Sequence, residues 1–384
     1  MKRVRSILFL LLLVVVWSCV GTTSTSKEEK GLKDLTKEEV TSIIQKVNDH
    51  WQSTHSRQGN AFWHSSAYHA GNMEAYKVTG IEAYLDYSTQ WATENLWMGA
   101  RSLYPDDWKY HYGETDEYVL FGDWQACFQV YADLFQVQKD SLRIQRAREV
   151  IEYQMSTTRN DYWWWADGLF MAMPVMTRLY KVTGDELYLI KMYAYFQYAR
   201  DLMYDDESAL FYRDAKYVFP KHATNKGLKD FWARGNGWVL AALARVLDDL
   251  PQEDSHREEY IYIFRSIADA VQKSQTTDGY WTRSMLDPEQ APGPETSGTA
   301  FFTYGLLWGI NHGILDETVF LPVVEKSWFY LTNTALQPDG VVGYVQPIGE
   351  RAIPGQTIDK NSTADFGVGA FLMAAAEMVR FIEK

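Results

Sequence analysis

Two aspartates stand out by their surroundings. Asp167 closes the run Tyr162-Trp163-Trp164-Trp165-Ala166-Asp167 and precedes an apolar stretch at 169–182. A carboxyl among indole rings loses solvation, so its ionised form is disfavoured and it is suited to deliver a proton near neutral pH. Aspartate is also a favoured helix cap, which is the structural alternative. Asp123 sits in Phe121-Gly122-Asp123-Trp124-Gln125, at the head of another apolar stretch, and has the same two readings. Two such residues facing one cavity would form an acid/base pair, or one acid with a substrate anchor.

The segment Phe231-Trp232-Ala233-Arg234-Gly235-Asn236-Gly237-Trp238 is the most distinctive. Its glycines permit close backbone approach, and Arg234 is a fixed cation suited to a substrate carboxylate or to a structural Asp. Trp232 and Trp238 offer flat faces for sugar rings, as do Trp165 and Trp124 beside the two aspartates. His222 lies upstream on the same loop, as a hydrogen-bond donor to substrate or a solvated residue. His111 and Tyr112, before Glu114, are weaker candidates. The hydroxyls of Glu295-Thr296-Ser297-Gly298-Thr299 suit helix caps better than sugar contacts. Metal and nucleotide readings are poor. There is no HExxH, no paired-cysteine set, no GxGxxG and no GxSxG, and His64 and His69 are five apart, which misaligns them on a helix. An enzyme without cofactor or metal is the economical reading.

A repeated phrase shows what must position these residues. Tyr76-Lys77-Val78-Thr79-Gly80 recurs as Tyr180-Lys181-Val182-Thr183-Gly184, each time after an apolar helix and before an acidic residue. Glycine there supplies a left-handed helix end, and the acidic residue opens the next helix, so each phrase is the turn of a helical hairpin. The pattern predicts about twelve helices, at 37–51, 65–78, 82–96, 123–137, 141–155, 169–182, 185–203, 236–250, 256–274, 298–312, 317–332 and 366–381. Some, such as 238–250, are apolar nearly all round. Others, such as 256–274, carry one apolar stripe. Apolar inner helices alternating with amphipathic outer ones describe an all-α, closed (α/α)6 barrel. An open solenoid is the competitor, and the strongly apolar last helix argues against it. The long loops entering the inner helices would line one mouth and carry the candidates.

Composition bounds the partners. The 384 residues carry a formal net charge of -13, so nucleic acid is an unlikely ligand, and 15% are aromatic, which suits a sugar-stacking protein. Lys2, Arg3 and Arg5 precede an apolar run at 7–17 that is too short to span a bilayer, and Ser18-Cys19 follows. This resembles a bacterial lipoprotein signal: a signal peptide at 1–18, a lipidated Cys19, a flexible polar tether at 19–35 and one catalytic domain at 36–384. The expected location is an exported lipoprotein, periplasmic or anchored to the outer membrane, touching the membrane through the lipid only. An ordinary cleaved signal peptide is the alternative.

The segments WWWADGLFMAMPV (163–175), DFWARGNGWV (230–239) and ETSGTAFFTYGLLWG (295–309) resemble glycoside hydrolase family 105, the unsaturated rhamnogalacturonyl hydrolases, related to the family 88 unsaturated glucuronyl hydrolases. The resemblance implies an (α/α)6 barrel. It also implies oligosaccharide substrates left by polysaccharide lyases, with a 4,5-unsaturated uronic acid at the non-reducing end. In that chemistry an acid protonates C4 of the enol ether and water adds at C5. Residue by residue, the resemblance puts the acid/base on Asp167, the second carboxylate on Asp123, the arginine on Arg234, the stacking indole on Trp238 and the loop histidine on His222. An inverting glycosidase or sugar epimerase on the same barrel, and a non-catalytic glycan-binding lipoprotein, are the competing readings.

Overall fold

The computed structural model describes residues 31–55 and 59–384. The expected signal peptide and Cys19 lie outside the described residues. The expected tether does not stay flexible to residue 35. Residues Leu32–Asp34 form a short 3-10 turn, and Leu32 is buried with its N–H on Glu325.

Six inner helices form a ring: α2 (Trp63–Thr79), α4 (Gly122–Gln125) running into α5 (Cys127–Val137), α7 (Ala166–Thr183), α9 (Ala233–Asp249), α11 (Thr296–Asn311) and α13 (Asp365–Ile382). Each packs against the next, and α13 returns to α2, so the ring closes and the solenoid reading is excluded. The closing contact runs backbone to backbone. A side chain at Gly71 would strike the carbonyl of Gly369, and one at Gly369 would strike that of Ala67, so only glycine allows α2 and α13 to approach this closely.

The outer layer is α1 (Lys37–Thr54), α3 (Glu82–Glu94), α6 (Leu142–Ser156), α8 (Leu187–Met203), α10 (Arg257–Ser274) and α12 (Glu317–Tyr330). The two repeated phrases end α2 and α7 as expected: Gly80 and Gly184 are left-handed and donate to Tyr76 and Tyr180. Along the barrel axis Trp238 packs on Phe301 at 4.2 Å and Phe170 at 4.6 Å, with Leu240, Phe371 and Met373 also buried. Among the described residues sheet is confined to one two-stranded hairpin, β1 (Tyr204–Asp205) with β2 (Leu210–Phe211). No described helix is long and apolar enough to cross a membrane.

Four inner helices begin two or three residues earlier than the periodicity predicts, at 63, 166, 233 and 296. That small shift matters. It moves Asp167 and Arg234 from the loops into the first helical turn.

Candidate active site

The N-termini of the inner helices converge on one mouth. Their second residues are His64, Asp123, Asp167, Arg234 and Ser297, around α2, α4, α7, α9 and α11. Neither aspartate is the cap of its helix; Phe121 and Trp165 hold the cap positions and make no side-chain cap bond. Backbone satisfies these ends instead. The N–H of Ala166 donates to the carbonyl of Arg213 at 2.8 Å, Ala233 to Arg283 at 2.9 Å and Thr296 to Tyr344 at 3.0 Å. These three inner helices thus borrow a backbone partner from the loop before the next one, and Asp167 is released from that duty. Gly168 lets the Trp165 ring fold back over the first turn, where a Cβ would meet it at 3.1 Å.

Asp123 retains 6% exposure and Asp167 9%, so both are nearly sealed yet reachable from the mouth. Burial pushes the Asp123 carboxyl well above the ordinary range, and the charge of Asp167 pushes it further. Burial also raises Asp167, against the pull of Arg213 and Arg234. Two carboxyls in mutual repulsion do not both ionise readily. The indoles around Asp167 account for its desolvation as expected: Trp165 packs on Phe121 at 4.8 Å and on Trp164 at 4.7 Å.

Arg213, which sequence reasoning passed over, completes the centre. Its Nε lies 3.6 Å from Oδ2 of Asp167, and both atoms are buried without a hydrogen-bond partner. Its Nη1 donates to Asp214 at 2.6 Å and stands 3.6 Å from Glu350. Its guanidinium lies over Trp164. The loop after β2 holds it: Asn236 brackets the backbone of Phe211, and Asp214 bridges to Trp165. No spacing rule marks Arg213; only the hairpin geometry brings it to Asp167.

The remaining candidates divide. Arg234 is buried at the mouth between Trp232, 4.5 Å away, and Phe366, 4.7 Å away. It donates to the carbonyls of Gln346 at 2.7 Å and Pro347 at 2.9 Å, so it anchors the 336–364 loop and offers little surface to a ligand. Trp238 is wholly buried among Phe301 and Phe170, below the mouth; the expected stacking face is a core face. Trp232 and Trp124 are likewise buried, their indole N–H groups on Gln346 and Gly113. Trp165 stays buried beside the pair. His222 is paired with Asp230 at 2.9 Å, which Ser284 also holds, and makes no contact with the carboxylates. The 295–299 segment does cap α11, but through the Glu295 carboxylate, which accepts from the N–H groups of Ser297 and Gly298, and not through the expected hydroxyls, which bond Tyr330 and Glu295.

Exposed aromatic surface comes instead from Tyr112, 59% exposed, with half-buried Trp63 and Trp164. Tyr112 donates to Glu114 at 2.6 Å, which pushes its phenol up to about 12, and it feels the charges of Asp123 and Arg213. His111 packs at a tilt on Tyr110, 4.2 Å between ring centroids. His64 pairs with Asp365 at 2.6 Å across α2 and α13, while His69 is buried against Trp91. Among the described residues no group of three or more His, Cys, Asp or Glu could hold a metal ion.

The chain matches the model of Glycosyl Hydrolase Family 88 over residues 35–382. It belongs to that family. An unsaturated 3S-rhamnoglycuronyl hydrolase of Formosa agariphila is 34% identical to this family 88 chain over 342 residues, covering 87% of this chain and 89% of that protein. A solved family 88 protein from Bacteroides vulgatus is 56% identical, with a TM-score of 0.89 over 90% of this chain and 100% of the other. A solved protein named as a polysaccharide lyase is 61% identical, also with a TM-score of 0.89, over 91% of this chain and 98% of that one.

Proposed function

We propose that this family 88 chain is an unsaturated uronyl hydrolase, taking a 4,5-unsaturated uronic acid from the non-reducing end of oligosaccharides that polysaccharide lyases leave. The observation that carries this reading is the buried pair Asp123 and Asp167, both pushed upward, on the first turns of adjacent inner helices. An alkene carbon is a weak base, so its protonation needs an acid kept protonated at neutral pH and shielded from water. Asp167 delivers its proton to C4, and the C4=C5 π electrons form the new C–H bond. Positive charge spreads over C5 and the ring oxygen, and the neighbouring Asp123 carboxylate stabilises it. Asp167, now ionised, accepts a proton from a water whose oxygen bonds to C5. The resulting hemiketal breaks its C5–ring-oxygen bond, leaving a C5 ketone and a C1 hemiacetal that expels the leaving sugar. One water is consumed and the acid is restored. The exposed ring of Tyr112 supplies a face for the leaving sugar at the rim.

The test is the ultraviolet absorbance of an unsaturated uronyl oligosaccharide panel, including uronyl-rhamnose ends. A fall in absorbance supports the hydrolase. A second reading, a lyase, is favoured by the 61% identical protein's name. A lyase creates the double bond, so absorbance would rise on saturated polysaccharide. A carboxyl pushed upward also makes a poor acceptor for a C5 proton only where it stays protonated, so the pH dependence of the two activities separates them as well.

We further propose that the protein is exported and lipidated on Cys19, supported by the basic, apolar and Ser18-Cys19 pattern. Fatty-acid labelling that Cys19→Ala abolishes is the expected result; labelling that persists would contradict it.

A further inference from the structure

The reaction leaves open what holds the uronate carboxylate, and what keeps the proton on Asp167 until it is used. Arg234 is placed poorly for the first task, since its Nη1 and Nη2 are spent on loop carbonyls and its side chain is 1% exposed. Arg213 is placed well. Asp214 locks its Nη1, which leaves the Nε–Nη2 edge, one of the two edges on which a guanidinium grips a carboxylate with parallel hydrogen bonds. The group now nearest that edge is Asp167 itself, at 3.6 Å, close enough to feel the charge but too far for a hydrogen bond. The edge is therefore charged, pre-oriented and unsatisfied.

We propose that Arg213 is the anchor of the substrate carboxylate: the uronate takes the Nε–Nη2 edge that Asp167 faces in the free enzyme, and its arrival releases Asp167 to act as the acid. This rests on the hydrolase reading above. With Arg213 neutralised by the uronate, Asp167 loses the cation that favoured its anion and holds its proton more firmly until C4 takes it, while Asp123 stands beside C5, where positive charge next develops. The groups that face Asp167 are Arg213 and Asp214 from the loop after β2, Arg234 from α9 and Asp123 from α4, with Glu114 and Glu350 one contact further out. Nε of Arg234 is also buried without a partner, but of these cations only Arg213 lies within 4 Å of Asp167. A substrate without a carboxylate would leave the switch unset, so the mechanism also selects for acidic sugars.

The experiment compares an unsaturated uronyl disaccharide with its C6 methyl ester on wild type and Arg213→Gln. Wild type should prefer the acid by about a hundredfold in kcat/KM, the scale of a buried charge pair losing one partner. Arg213→Gln should prefer it by less than about fivefold. The alkaline limb of kcat/KM, which reports the free enzyme, should move up by about one pH unit in Arg213→Gln, while the limb of kcat stays in place. A purely structural role for Arg213 would move neither the acid–ester ratio nor one limb without the other. Should Arg213→Gln not fold, Arg213→Lys keeps the charge without the fork, and its preference should fall to about tenfold. A preference that stays near the wild-type value in whichever variant folds overturns the proposal. Wild type that converts neither compound removes the hydrolase reading, and the proposal with it, and is recognised by the absence of any rate to compare.

Discussion

The two ends of the barrel bury carboxylates to a similar depth and treat them oppositely. At the end formed by the C-termini of the inner helices, beside a cavity of about 450 Å³, Glu74 is 6% exposed. Burial alone would raise it, but Lys77 at 2.9 Å, Arg380 at 2.6 Å and Arg245 at 3.4 Å hold it well below the ordinary range. At the same end Arg178 pairs with Asp133 at 3.4 Å and Lys181 with Asp249 at 2.6 Å. At the other mouth Asp123, equally buried, forms no ion pair among the described residues, and Asp167 has one misaligned cation. Burial does not decide acidity by itself. Cations in direct contact with Glu74 outweigh its burial, whereas Asp123 has none in contact and burial pushes its carboxyl upward.

The comparison can be broken at several points. The largest effect should come from Asp167→Asn, with loss of a thousandfold or more in kcat on an unsaturated substrate, about the full worth of a general acid, and unchanged helical content by circular dichroism. Next, Glu74→Gln should cost about 3 kcal/mol of stability in denaturant titrations, because three cations lose their buried partner, while kcat is retained. Glu74, held low in the folded protein, contributes stability above its unfolded pKa that disappears as pH falls through the folded value, so the acid side of the wild-type stability curve should flatten in Glu74→Gln. Asp123→Asn should lower activity by about a hundredfold yet raise the melting temperature at pH 7. The sign follows from its upward shift. The folded state binds this proton more tightly, so the ionised side chain weakens the fold as pH rises above the unfolded pKa, and that penalty vanishes below it. A melting temperature that drops in Asp123→Asn at pH 7 would place this mouth in the same class as the other. Smallest, Tyr112→Ala should raise KM by about fivefold with kcat little changed, read from initial rates.

The helices were legible because inner and outer layers leave different hydrophobic patterns, and because the phrases before Gly80 and Gly184 mark real turns. Starts at 166 and 233 were not, since aromatic and glycine residues there carry no helical period and the caps come from a distant loop. Asp123 and Asp167 were legible through their aromatic neighbours, which do desolvate them. The same signal misplaced Trp238, Trp232 and Trp124, because a Trp beside a site reads alike whether it faces sugar or core. Arg213 was invisible for a different reason. It reaches Asp167 across 46 positions of chain, through a two-residue strand and the side chain of Asn236. The pairing of His64 leaves no mark in the sequence, because its partner Asp365 lies at the far end of the chain, joined to it by the closing of the ring.

Where the proton goes is the central claim, and solvent deuterium reads it. An unsaturated uronyl disaccharide turned over in heavy water and followed by nuclear magnetic resonance at early times should gain one deuterium at C4, on a single face, at the rate at which the leaving sugar appears. Asp167→Asn should show neither event. Release of the leaving sugar with the C4=C5 bond intact and no deuterium at C4 would contradict the account.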